Sequence, residues 1–219
     1  SQAQQQDLLT GTGGGGGSTN FTFEKKWGRY GSGNGKFYYT HSIATDSGGN
    51  VYVTDSHNHR VQVFDSSGNF LRKWGSKGHG NGQFYYPYGI AVDNGGNVYV
   101  ADRNNHRVQV FDSSGNFLRK WGSKGHGNGQ FYYPDDLAVD GSGNVYVVGR
   151  AATGVKVFDS SGNFLRTIGS YGYGNGQLIS PLGIAVDSAG NVYVTDVSKR
   201  QVQVFDSSGN FLRKWGSKG

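Results

Sequence analysis

Residues 87–121 read PYGIAVDNGGNVYVADRNNHRVQVFDSSGNFLRKW. Four short apolar runs lie in this stretch, each closed by turn chemistry. Gly89-Ile90-Ala91-Val92-Asp93 stops at Asn94-Gly95-Gly96, and Val98-Tyr99-Val100-Ala101-Asp102 alternates in the two-residue period of a half-buried strand. The polar turn Arg103-Asn104-Asn105-His106 leads to Val108-Gln109-Val110-Phe111, and Asp112-Ser113-Ser114-Gly115 opens Phe117-Leu118-Arg119-Lys120-Trp121. Gly, Asn and Asp supply the tight turns. The stretch predicts four antiparallel strands in a meander, followed by a Gly-rich crossing through Asn128-Gly129.

The unit recurs. Gly-Asn-Val-Tyr-Val places its Asn at Asn50, Asn97, Asn144 and Asn191, a period of 47 residues, and Phe-Asp-Ser-Ser-Gly-Asn-Phe-Leu-Arg begins at Phe64, Phe111, Phe158 and Phe205. His59 to Pro87 is repeated letter for letter from His106 to Pro134, which implies recent internal duplication or deliberate consensus construction. Four strands per repeat of roughly 40–50 residues is the signature of a propeller blade. The expected fold is all-β: a four-bladed β-propeller of four-stranded antiparallel blades over residues 21–219, behind a Gly-rich arm over residues 1–20.

Blade 2 resembles the NHL repeat, with its Pro-x-Gly-Ile-Ala-Val-Asp, Gly-Asn-Val-Tyr-Val-Ala-Asp and Asn-x-Arg-Val-Gln-Val-Phe segments nearly intact from Pro87 to Trp121. The resemblance implies that the Asp after the second strand and the Arg before the third tie adjacent turns together. These are Asp55 with Arg60 and Asp102 with Arg107. Blade 3 departs with Gly149 and Gly154, and blade 4 keeps Asp196 but has Gln201. Those two blades are expected to be looser, or their edge released for a contact. NHL propellers usually have six blades, so four would either splay to close, with Tyr38, Tyr39, Tyr85, Tyr86, Tyr132 and Tyr133 as fillers, or form an open arc.

Strand types do not balance. The first three strands occur four times, but copies of the fourth end at Trp27, Trp74, Trp121, Ile168 and Trp215. Both Phe23–Trp27 and Phe211–Trp215 are therefore candidates to complete blade 4, and an unused amphipathic strand pairs readily with another edge. The arm adds Leu8-Leu9 before the glycine run Gly13–Gly17, a flexible tether. Ordering such a tether needs a binding surface to offset its entropy, so the arm is expected to dock on a neighbouring subunit, against the plainer reading of a tail or linker. Leu8, Leu9, Phe21, Phe23, Trp27, Phe211 and Trp215 are the candidate self-association residues, and other copies of the chain the expected partner. The result would be an oligomer, or a filament where head-to-tail contacts fail to close.

Other chemistries find less support. No cysteine is present, which excludes disulfides, zinc thiolates and cysteine nucleophiles, and no stretch approaches the apolar length of a membrane helix. The start at Ser1, without methionine, and the sequon Asn20-Phe21-Thr22 lead us to expect a processed, extracellular chain. Histidines at repeated turn positions read as solvated, and no catalytic residue is expected. The residue after the blade proline marks the channel mouth: His41, Tyr88, Asp135 with Asp136, and Leu182. Two of those four positions suit a cation, too few for a convincing axial metal, so no cofactor is expected. An NHL-like enzyme branch, the peptidyl-hydroxyglycine lyases, uses an axial metal, but no motif here matches it. The net charge of +6 comes partly from Arg72-Lys73, Arg119-Lys120 and Arg213-Lys214 on outer strands, a protective rim rather than the basic, aromatic face a nucleic-acid reader needs. The alternative function is an NHL-type module recognising peptide, glycan or single-stranded RNA on a propeller face; a designed propeller without natural ligand is a third reading.

Overall fold

The computed structural model describes residues 23–149 and 154–217. Strands β1 (Arg29–Tyr30) and β2 (Lys36–Phe37) form a short parallel pair inside the first crossing. Sheet 1 follows as β3 (Thr40–Thr45), β4 (Val51–Asp55), β5 (Arg60–Phe64) and β6 (Phe70–Trp74). Sheet 2 comprises β7 (Pro87–Val92), β8 (Val98–Asp102), β9 (Arg107–Phe111) and β10 (Phe117–Trp121). Sheet 3 comprises β11 (Pro134–Val139), β12 (Val145–Gly149), β13 (Val155–Phe158) and β14 (Phe164–Ile168). The short parallel pair β15 (Ser170–Tyr171) and β16 (Gln177–Leu178) precedes sheet 4: β17 (Pro181–Val186), β18 (Val192–Asp196), β19 (Gln201–Phe205) and β20 (Phe211–Trp215). All four sheets are antiparallel meanders in chain order.

Valine, tyrosine and phenylalanine on alternate positions give each sheet two apolar faces, so the core lies between sheets. Tyr52, Val61 and Val63 of sheet 1 meet Val98, Val100 and Phe111 of sheet 2, with Phe84 of the crossing between them. Sheets 2 and 3, and sheets 3 and 4, repeat the arrangement. Phe84, Phe131 and Leu178 are the buried wedges of the crossings, whereas the tyrosine pairs expected as fillers lie at the crossing surface.

Two features lock neighbouring sheets. Trp74 lies on Gly115 and Trp121 on Gly162, so close that a Cβ on either glycine would sit 2.7 Å from the indole. Each indole also packs 5.7 Å from the next sheet's phenylalanine, Phe111 or Phe158. Arg72 Nε donates to Ser113 O of the next sheet at 2.8 Å, so this outer-strand cation is a latch as well as a rim charge.

The ends of the array differ. Phe211–Trp215 pairs with β19 and completes sheet 4, while Phe23–Trp27 forms no strand. Trp27 instead covers Gly68 as Trp74 covers Gly115, and with Phe37 closes the flank of sheet 1 over Val51, Val53 and Phe64. Inner strands pack β3 on β7, β7 on β11 and β11 on β17, but β17 makes no comparable contact with β3. The described residues thus form an arc without a sheet 4 to sheet 1 interface. Leu8, Leu9, Phe21 and the rest of the arm lie outside the described residues.

Candidate binding face and open flank

A four-stranded meander puts its first and third turns at one end and its second turn and crossing at the other. The Asp-x-x-Gly-Asn turns all fall at the first end. Each aspartate accepts backbone N–H bonds from the residues two and four places on, plus the Asn side chain, as Asp112 does from Ser114 and Asn116. Those bonds hold the carboxyls of Asp65, Asp112, Asp159 and Asp206 below their ordinary range. The turn aspartates Asp46, Asp93, Asp140 and Asp187 also accept the hydroxyls of Tyr52, Tyr99, Tyr146 and Tyr193 at 3.0 Å. Burial, then that neighbouring carboxylate, pushes the Tyr99 phenol up to about 12.

The crossing end is built differently. Its carboxylates Asp55, Asp102, Asp135 and Asp196 are at most 1% exposed. Asp55 binds Arg60 Nε and Asp102 binds Arg107 Nε, both at 2.7 Å, and Arg107 also donates to the carbonyls of His79, Gly80 and Gln83. Where blade 3 lacks this pair, Lys156 Nζ reaches the equivalent carbonyls of His126, Gly127 and Gln130. In blade 4, Lys199 Nζ takes those of Gly174 and Gln177, while Asp196 accepts from Ile179 N. The expected loosening is therefore replaced by lysine substitution of the lost guanidinium, with burial lowering the Lys156 pKa.

The channel-mouth residues sit on the four inner strands. His41 stacks on Tyr88 at 3.6 Å between ring centroids. Arg103 lies between Tyr88 and Tyr133, 4.8 and 4.7 Å from their centroids, and binds Asp135 at 2.7 Å. Asp136 turns to Ile184 N at 3.1 Å, its pKa raised to about 6 by burial. Leu182 is exposed. His41 and Asp135 are thus engaged with an aromatic ring and a guanidinium, and no group of three or more metal-ligating side chains occurs among the described residues.

The turn histidines are not individually solvated. His57 packs 4.8 Å from Tyr38, 4.5 Å from Tyr39 and 5.0 Å from Tyr86. His59 and His106 pack on the following tyrosine pairs, and His126 stacks on Tyr132. His59 Nδ1 accepts Tyr86 N, and His106 Nδ1 accepts Tyr133 N, both at 3.2 Å. Lys77 and Lys124 lie 5.5 Å from the centroids of Tyr85 and Tyr132. Tyr39, Tyr86 and Tyr133 hold φ of 57°, 58° and 55°, a left-handed backbone that bulky residues rarely adopt and that persists where surrounding structure enforces it. The crossing end thus gathers the tyrosine pairs expected as core fillers, the turn histidines and the lysines Lys77 and Lys124, while the basic pairs of the outer strands stay where the sequence placed them. The periodic Lys-x-His and Tyr-Tyr pairs carried that signal.

The second feature is the bare flank of sheet 4. Tyr52, Tyr99 and Tyr146 are at most 1% exposed under the next sheet, whereas Tyr193 is only partly covered and Thr195 and Val197 are exposed. Trp215 is 49% exposed, although it keeps the same edge contact to its own sheet's tyrosine as Trp74 and Trp121. Among the self-association candidates, Trp27 thus marks the covered end and Trp215 the open one, with Phe23 exposed and Phe211 packed on Phe205.

Successive four-stranded antiparallel sheets packed inner strand to inner strand are the architecture of β-propeller blades. The NHL repeat family matches residues 37–64 and 84–111, and a family described as a 6-bladed beta-propeller, DUF5128, matches residues 141–214. The chain carries NHL repeats in a β-propeller fold. No curated protein matches it significantly. Among solved structures, hydrazine synthase of Kuenenia stuttgartiensis is similar over 81% of this chain and 49% of its own, at 15% identity and a TM-score of 0.61. A nidogen/laminin complex gives 82%, 64%, 19% and 0.60, and virginiamycin B lyase of Staphylococcus aureus 81%, 55%, 12% and 0.61. The chain spans about half to just under two thirds of these relatives' length. No helix is long and apolar enough to cross a membrane among the described residues.

Proposed function

We propose that this chain is a non-enzymatic assembly protein whose blade array is completed or continued by a second copy of itself. The observation that carries the reading is the uncovered sheet 4 flank ending in Trp215, beside three internal sheet-on-sheet contacts that show what such a flank normally meets. A second copy offers the matching surface, sheet 1 with its Gly68 slot. That slot already holds Trp27, on a segment with no strand pairing, so Trp215 of one copy and Trp27 of the next compete for one place. The surplus outer strand becomes the exchangeable part of the junction. At the pitch of a six-bladed ring, about 60° per blade, four blades fill about two thirds of a circle. A second full set would overrun it, and non-closing heterologous contacts grow filaments.

The similar structures include two proteins named as enzymes and one complex named for two proteins, so the fold alone does not decide between catalysis and binding. The non-enzymatic reading is supported by the engagement of Asp135 with Arg103 and of His41 with Tyr88. An extracellular setting belongs to the same proposal and is supported by the sequon at Asn20. Light scattering across a concentration series, with electron microscopy, tests the association. We expect concentration-dependent growth in the wild type and its loss in Trp215→Lys with an unchanged circular dichroism spectrum. A wild type that stays monomeric throughout, or a Trp215→Lys variant that associates equally well, refutes the proposal.

A further inference from the structure

The crossing end carries a periodic feature that end-to-end association leaves unused. At equivalent positions of four successive crossings stand Tyr30, Lys77, Lys124 and Tyr171, each 47 residues after the last. Tyr30 and Tyr171 are 69% and 63% exposed, and both lysines are exposed. Two cations are therefore bracketed by two open aromatic faces. Behind them lies the tyrosine–histidine belt, held by left-handed backbone at Tyr39, Tyr86 and Tyr133. With Nδ1 of His59 and His106 accepting a backbone N–H, the other ring nitrogen carries the proton and can donate outward.

From this face we infer a binding site for an acidic polysaccharide, its carboxylates on Lys77 and Lys124 and its sugar rings against Tyr30 and Tyr171. Three arguments fix the class. Charge complementarity calls for an anion, because the carboxylates of Asp55, Asp102, Asp135 and Asp196 at this end are buried and the half-buried Asp136 is taken by Ile184 N, while the turn aspartates lie at the other end. Repetition calls for a polymer, since the same position presents an open tyrosine or a lysine on four successive crossings. Charge density favours a sugar acid: packed sheets are about 10 Å apart, so Lys77 and Lys124 on adjacent crossings match a chain with widely spaced carboxylates. A nucleic-acid strand presents a phosphate about every 3.4 Å when stacked. The hydroxyls of a sugar also suit the imidazole and phenol groups of the belt. This reading does not depend on whether chains join.

Isothermal titration calorimetry tests it with an oligogalacturonate octamer, a neutral malto-octaose and an oligouridylate of equal length. The octamer should bind, more tightly than either comparator. Lys77→Ala/Lys124→Ala should weaken it roughly tenfold or more, as expected for lost charge-assisted bonds, and Tyr30→Ala/Tyr171→Ala should weaken it severalfold. Lys73→Ala/Lys120→Ala removes the same charge from outer strands and should leave binding unchanged. No octamer binding, tighter oligouridylate binding, or equal losses in the two lysine pairs would each overturn the inference. All three variants change exposed residues, and matching circular dichroism spectra identify any that fail to fold.

Discussion

Gly115→Ala should be strongly destabilising, for a reason that can be separated from backbone strain. Gly115 has φ of 91°, and its added Cβ would lie 2.7 Å from Trp74 Cε3, 2.8 Å from Cδ2 and 3.1 Å from Cγ. Carbon atoms attract best at about 3.5–4.0 Å, so the indole must retreat by about 1 Å, which forfeits about a quarter to a half of the contact energy. Full truncation of a buried tryptophan costs about 3–5 kcal/mol, and a half loss for the partly buried Trp74 is at most about 2 kcal/mol. Left-handed backbone adds about 1–2 kcal/mol for a non-glycine residue, for a total of at most about 3–4 kcal/mol. Gly82→Ala is the control, because Gly82 has φ of 73° and no atom within 4 Å of its added Cβ. It should lose only the strain. Urea unfolding followed by circular dichroism should show a gap of up to about 2 kcal/mol between the two variants, and the gap should close when both are made on Trp74→Ala. Equal losses at Gly115 and Gly82, or a gap that survives Trp74→Ala, would refute the wedge reasoning. So would the proposed junction lose its template, since it asks Trp215 to do on another chain what Trp74 does here.

Three further outcomes are expected. Lys156→Gln restores the residue found in the other blades, where Gln109 holds the carbonyl of Gln83, the equivalent of Gln130; it keeps that bond but strands the carbonyls of His126 and Gly127, and urea unfolding should show a loss of about 1–3 kcal/mol. Burial, then Lys77 or Lys124, holds the His59 and His106 rings below 6.5; the folded state binds fewer protons, so their stability is full above about pH 6.5 and lost as pH falls through the lowered folded values. The unfolding midpoint of the wild type should drop across that window, and His59→Asn/His106→Asn, which keeps a side chain tolerant of left-handed backbone, should flatten it. Asp136 runs the other way: with its pKa raised to about 6 from 3.8, its contribution is full below 3.8 and lost as pH rises through 6, a slope that Asp136→Asn should remove from the same titration.

Much of the fold was legible because its signals are local. Val98–Asp102 and Phe117–Trp121 fall where alternation and turn residues placed them, and the inner strand starts two residues earlier, at Pro87, and ends one earlier, at Val92. The parts that were not legible depend on residues brought together across the crossings. Trp74 and Gly115 are 41 positions apart and belong to different repeats, so their wedge appears only when sheets stack. Lys156 occupies the position of Gln109 yet performs the task of Arg107, a substitution that depends on the reach of an ammonium group rather than on spacing. The tyrosine–histidine belt links His59 to Tyr86, 27 positions on. Its signal is present as a repeated Lys-x-His and Tyr-Tyr pattern, but turn histidines at repeated positions read by themselves as solvated. The meander returns every copy to the same end, where they pack on the tyrosines of the next crossing.

That common end ties the two proposals together physically while leaving them separable. Each sheet-on-sheet step carries the crossing residues forward by one blade, so a second copy seated on the sheet 4 flank would set its Tyr30 in line after Tyr171. The Tyr-Lys-Lys-Tyr row would then continue across the junction, and a polymer long enough to span two copies would bind by linked contacts at high effective concentration. Affinity should therefore climb with polymer length in the wild type and level off at one chain's row in Trp215→Lys. The octamer, confined to a single row, should bind both proteins alike. Loss of octamer binding in Trp215→Lys would mean that the face is assembled only at the junction, and a length dependence that persists in the variant would mean that the polymer, rather than the bare flank, brings the copies together.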